Sequence, residues 1–149
     1  MSAITRKVQL IAPSPRRSAA ANEAIKERLR AIRGEIRQLT WEQARWLWEI
    51  RSNNLWKHWG FKDFVSYLAS ETGVGLRSCQ YMISAWSWFA SLPPEVEEWG
   101  ARIGWSKAKE LVEVVDSRNW SWWKAKLGDD GSNLTLRQLI NLVHEQKRS

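Results

Sequence analysis

The sequence predicts an all-α protein: one compact domain of about seven helices that contains a helix-turn-helix, preceded by a basic N-terminal arm. Three observations predict it. From Asn22 onward apolar residues recur at spacings of three and four, the period of a helix with one buried face. No convincing strand pattern appears; "VQLIA" at residues 8–12 is the one candidate, and it lies in the arm. Twelve tryptophans in 149 residues also require a core large enough to take most of them.

The elements follow in order. Residues 1–21 read as a basic, flexible arm: "APSPRRSAA" combines prolines, serines and arginines, and no acidic residue precedes Glu23. An organelle transit peptide shares that composition, but the segment has little amphipathic periodicity. Residues 22–149 then form a single helical domain. Ile25, Leu29, Ile32, Ile36 and Leu39 make a heptad-like stripe on its first helix, suited to packing on the domain or to helix pairing between two chains.

A second helix is expected at "TWEQ", where Thr40 and Gln43 have capping-box spacing, with Trp41, Ala44, Leu47 and Trp48 inward. "LWKHWGF" reads as an aromatic corner stopped by Gly60. A third helix covers about residues 62–72, with Phe64, Val65, Leu68 and Ala69 on its apolar side. A fourth runs from Leu76 to about Ser91, and a short acidic helix ends at Gly100. Ser106 is placed as the cap of "KAKELVEVV", with Leu111, Val112 and Val115 inward. Trp120, Trp123 and Leu127 share a face of the next helix, "GDDGSN" is a loop, and Thr135 with Gln138 caps the last helix.

The helix-turn-helix, at about residues 62–91, rests on "VSYLASETGVGLRSCQYMIS". Such a pair needs a small residue in its first helix, a turn residue that tolerates positive φ, and apolar residues that fix the crossing. Ala69, Gly73, Val74, Cys79 and Met82 or Ile83 fill those roles. On the second helix Leu76, Cys79, Ile83, Trp86 and Ala90 fall on the core side. Arg77, Ser78, Gln80, Tyr81 and Ser84 remain for the other, and these side-chain types read bases or grip phosphates. An ordinary solvated face has the same polarity. Trp88 and Trp122 are candidates for base stacking or a protein contact.

Charge is concentrated upstream. The chain carries a net +7, and residues 1–33 hold eight basic groups against two acidic, a net of +6. Arg6, Lys7, Arg16 and Arg17 of the arm therefore complete the nucleic-acid-binding set, because a basic arm attracts a polyanion in a salt-dependent way.

Other classes find little support. The lone Cys79 permits no internal disulfide and suits a reducing, cytoplasmic setting, and no apolar run reaches the roughly 20 residues of a membrane span. His58 and His144 have no zinc-site spacing, "ETGVGLRS" lacks the Gly–Lys–Ser/Thr ending of a phosphate loop, and Asp129–Asp130 lack further calcium ligands. No enzyme activity, cofactor or metal is expected.

"LWKHWGFKDFVSYLASETGV" resembles a segment that recurs in bacterial and phage proteins: aromatic–x–x–x–Gly–(Phe/Tyr)–x–(Ser/Asp)–Phe–x–x–Tyr. "GWSKA" and the closing "LTLRQLINLV" resemble its usual continuation, so the resemblance spans about residues 40–143. It implies a helical module with a helix-turn-helix-like pair, found in phage and mobile-element proteins and ahead of HNH nuclease domains. The chain carries no His-rich nuclease cluster, so no activity is implied.

The expectation is thus a DNA-binding transcriptional or replication regulator of phage or mobile-element type, able to act as a homodimer. Two alternatives stay open. One is a protein-interaction module whose exposed tryptophans dock on a host protein. The other is a single-stranded nucleic-acid binder.

Overall fold

The computed structural model describes residues 18–148, and every regular element among them is helical. The described residues divide into two units, 18–33 and 34–148. In the first, helix α1 (Ala19–Ser52) begins; the Ser18 hydroxyl accepts from the Ala21 N–H at 3.1 Å and caps it. Glu27 and Arg30 pair one turn apart on its exposed surface at 2.6 Å.

The second unit contains the rest of α1 and seven further α-helices. These are α2 (Leu55–His58), α3 (Phe64–Glu71), α4 (Leu76–Ala90), α5 (Pro94–Ile103), α6 (Trp105–Ala108), α7 (Trp120–Leu127) and α8 (Leu136–Arg148). A 3₁₀ turn, Lys109–Leu111, extends α6. Helix α4 packs against α5, α6 and the 3₁₀ turn, and α8 against α6 and that turn.

Two apolar clusters hold the second unit together, and α4 serves both. Its Cys79, Met82 and Ile83 join Ala44, Leu47 and Leu68 in the smaller cluster. Its Ala85 and Phe89 join Trp41, Trp99, Leu111, Trp123, Leu127 and Leu139 in the larger. Trp86 and Trp105 touch both. The close approach of α5 to α4 depends on Gly100: a Cβ there would meet the Phe89 ring at 2.5 Å.

Most of the expected elements are present, with four corrections. First, no second helix opens at Thr40. Its hydroxyl instead donates to the Ile36 carbonyl at 2.7 Å inside one continuous α1, a back-bond a mid-helix threonine makes readily. Second, Val65 and Ala69 of α3 are exposed, so Leu68, buried against Cys79 and Met82, makes the contact expected of Ala69. Third, Leu76 and Ala90, at the two ends of α4, are exposed while the middle of the helix carries the core side. Fourth, Ser106 is not a cap, and no helix runs through "VEVV". Glu113 takes φ 64°, and the β-branched valines lead the chain out of the 3₁₀ turn. Leu111 and Val115 are still buried.

The final cap forms as expected. The Thr135 N–H donates to the Gln138 side-chain oxygen at 2.8 Å, and the Gln138 N–H donates back to the Thr135 hydroxyl at 3.2 Å. The strand candidate at residues 8–12 lies outside the described residues.

Candidate nucleic-acid interface

Helices α3 and α4 are joined by a four-residue turn, Thr72–Gly75, fixed by local hydrogen bonds. Asp63 caps α3 by accepting from the Ser66 N–H at 2.7 Å; the hydrogen bonds from Ser66 hold its carboxyl below the ordinary value of 3.8. At the other end the Thr72 and Gly73 N–H groups both donate to the Leu68 carbonyl. Gly73 takes φ 68°, a left-handed conformation in which a side chain would be strained. The Thr72 hydroxyl accepts from the Val74 N–H at 3.0 Å, which places Val74 against the smaller cluster.

This turn delivers α4 with Cys79, Met82 and Ile83 inward and Arg77, Ser78, Gln80, Tyr81 and Ser84 exposed. The helix contains no acidic residue. Tyr81 is 41% exposed, and the Lys109 ammonium lies 4.5 Å from its ring centre. Lys109 also approaches the Trp105 ring at 5.9 Å and the Glu110 carboxylate at 3.7 Å. A second cation therefore stands beside the α4 face, partly offset by Glu110. Sequence spacing carried no signal for Lys109, which is remote from α4 in the chain and arrives there only because the 3₁₀ turn packs on that helix.

The two candidate stacking residues separate. Trp88 is half-buried against the larger cluster, and its indole N–H donates to the Val115 carbonyl at 2.8 Å. Trp122 is 40% exposed, lies edge-on to Trp123 and has the Lys126 ammonium 5.3 Å from its ring centre. It lines a cleft of ≈ 600 Å³ that also includes Arg118, Lys147 and Glu113.

Arg6, Lys7, Arg16 and Arg17 lie outside the described residues. Cys79 is fully buried, and that burial pushes its thiol above the ordinary value against the opposing influence of Arg51. Lys107 donates to the carbonyls of Gly131 and Leu134, tying α6 to the loop before α8; its partial burial lowers its pKa. Among the described residues no group of three or more His, Cys, Asp or Glu side chains could hold a metal ion. No helix among them is long and apolar enough to cross a membrane.

Comparison with protein-family models, with curated proteins and with solved structures finds no match to this chain.

Proposed function

We propose that the chain is a DNA-binding protein of phage or mobile-element type that regulates transcription or replication, with α3, the turn and α4 acting as a helix-turn-helix. One observation carries the reading. The exposed side of α4 gathers Arg77, Ser78, Gln80, Tyr81 and Ser84 at the far side of a helix anchored in both apolar clusters, with no carboxylate of its own. In the major groove, Arg suits guanine and Gln suits adenine through paired hydrogen bonds, while Tyr and Ser suit phosphate oxygens. The basic arm would add phosphate contacts outside the groove.

The test is selection from random duplexes, followed by titration of the enriched site with Arg77→Ala and Gln80→Ala. Each change is expected to weaken specific binding by about 1–3 kcal/mol, roughly 5–150-fold, and to relax preference at one base position. Both side chains are exposed, so the fold should be unchanged by circular dichroism. Equal affinity of both variants and wild type for the selected site would rule the reading out.

A second reading draws on Trp122. An exposed indole with Lys126 over it and Arg118 and Lys147 in the same cleft suits an unpaired base and its phosphates. Tighter binding to single strands than to duplexes, lost in Trp122→Ala and kept in Arg77→Ala, would favour it.

A further inference from the structure

Three segments of the second unit meet at the cleft beside Trp122. Glu113, Val114 and Arg118 come from the stretch that follows the 3₁₀ turn, Trp122 and Trp123 from α7, and Lys147 from the end of α8. At ≈ 600 Å³ the cleft has the size of a small-molecule site.

Local hydrogen bonds fix its walls. The Asp116 carboxylate accepts from the Arg118 and Asn119 N–H groups at 2.8 Å each. The Asn119 side chain accepts from the Asp116 N–H at 2.8 Å and donates to the Val114 carbonyl at 2.9 Å. The Asn119 carbonyl accepts from the Trp122 and Trp123 N–H groups, which joins this wall to the first turn of α7. Trp123 is 2% exposed, and Trp122 stands edge-on to it at 86°. Lys126, over the Trp122 ring, is not among the described residues that line the cleft.

The charges of the cleft are left open. Arg118 and Lys147 are exposed, and among the described residues neither pairs with a carboxylate. Glu113 is the single carboxylate of the lining. Its φ of 64° puts a residue with a side chain in the left-handed region, a strain that tends to gather at ligand sites.

We infer that this cleft binds one nucleotide unit, its base stacked on Trp122 and its phosphate held by Arg118 and Lys147. An indole stacks on any base, and a phosphate monoester carries a charge of about −1.5 to −2 near neutral pH, which two cations match. Glu113 is an acceptor and suits an amino-bearing base such as adenine. An aliphatic anion would leave Trp122 uncovered, and a neutral aromatic ligand would leave both cations uncompensated. The inference rests on the single-strand reading of Trp122 and narrows it to one nucleotide. It is independent of the duplex reading, because neither Arg77 nor Gln80 lines the cleft. A free mononucleotide and one residue of a strand share this chemistry.

Equilibrium dialysis of the full chain against adenosine monophosphate tests it. Saturable binding of one ligand per chain is expected at about 1 mM or below. Adenosine, without the phosphate, and ribose 5-phosphate, without the base, should each bind at least ~10-fold more weakly. Trp122→Ala and Arg118→Ala, both at exposed positions, should each weaken binding to a similar degree with unchanged circular dichroism, while Arg77→Ala keeps full affinity. Competition by an adenine octamer without terminal phosphates assigns the cleft to a strand, and its failure to compete assigns it to the free mononucleotide. Ribose 5-phosphate binding as tightly as adenosine monophosphate overturns the inference, as does full affinity in Trp122→Ala. An octamer held through Trp122 with no affinity for adenosine monophosphate overturns the one-nucleotide cleft and leaves the single-strand reading standing.

Discussion

At the scale of single residues, two buried tryptophans with similar roles are differently satisfied. Trp99 donates its indole N–H to the Gly128 carbonyl at 3.1 Å, whereas the buried Trp41 N–H has no hydrogen-bond partner. A buried donor without an acceptor costs about 1–3 kcal/mol, and phenylalanine removes that donor. Trp99→Phe, by contrast, removes one of the two donors to the Gly128 carbonyl, leaving it the Gly131 N–H at 3.3 Å, and opens space in the larger cluster. It is expected to cost about 2–4 kcal/mol in urea unfolding, and Trp41→Phe clearly less. Equal losses would mean that the orphan N–H carries no penalty.

At the scale of elements, α5 and α4 approach each other over Gly100. Alanine is ordinarily the better helix residue by about 1 kcal/mol, but here its methyl would enter the fully buried Phe89 ring. Gly100→Ala is therefore expected to destabilise by about 1–3 kcal/mol, and adding Phe89→Leu should recover part of that loss, a coupling read from a double-mutant cycle. Elements of this kind were only half legible in the sequence. Periodicity located α3, α4, α7 and α8, and the Thr135–Gln138 box marked a true start. The same Thr–x–x–Gln spacing at Thr40 did not, because a capping box is a local pattern and a threonine inside a helix can satisfy itself on the carbonyl one turn back. Of the apolar residues of α1, Trp41, Ala44 and Leu47 were legible as core and are buried, whereas the exposure of Ile25, Leu29, Ile36 and Leu39 was not legible. The Ile36–Leu39 stripe and the Trp41–Ala44–Leu47 side are both helical in period, and only the tertiary packing decides between them.

At the scale of the whole molecule, the candidate interface divides into a part that local pattern reveals and a part it conceals. The polar side of α4 followed from its period, and Arg77, Ser78, Gln80, Tyr81 and Ser84 are exposed as expected. Lys109 beside Tyr81 and the hydrogen bond that occupies Trp88 depend on contacts between distant segments. Net charge is global too: most of the +7 belongs to residues 1–33. If Arg6, Lys7, Arg16 and Arg17 all meet phosphates, changing the four to Gln should reduce the slope of log affinity against log salt by about 3.6. An unchanged slope in filter binding across a salt series would remove the arm from the interface. The crowding of indoles has a consequence of another kind. Trp48–Trp86, Trp99–Trp120 and Trp122–Trp123 ring centres lie 5.6, 6.4 and 4.9 Å apart, close enough for electronic excitation to pass between rings before light is emitted. The ultraviolet emission of this protein therefore belongs to coupled chromophores. It is depolarised by energy migration even where packing holds every ring still, and a quencher that reaches Trp122 also drains the buried Trp123 behind it.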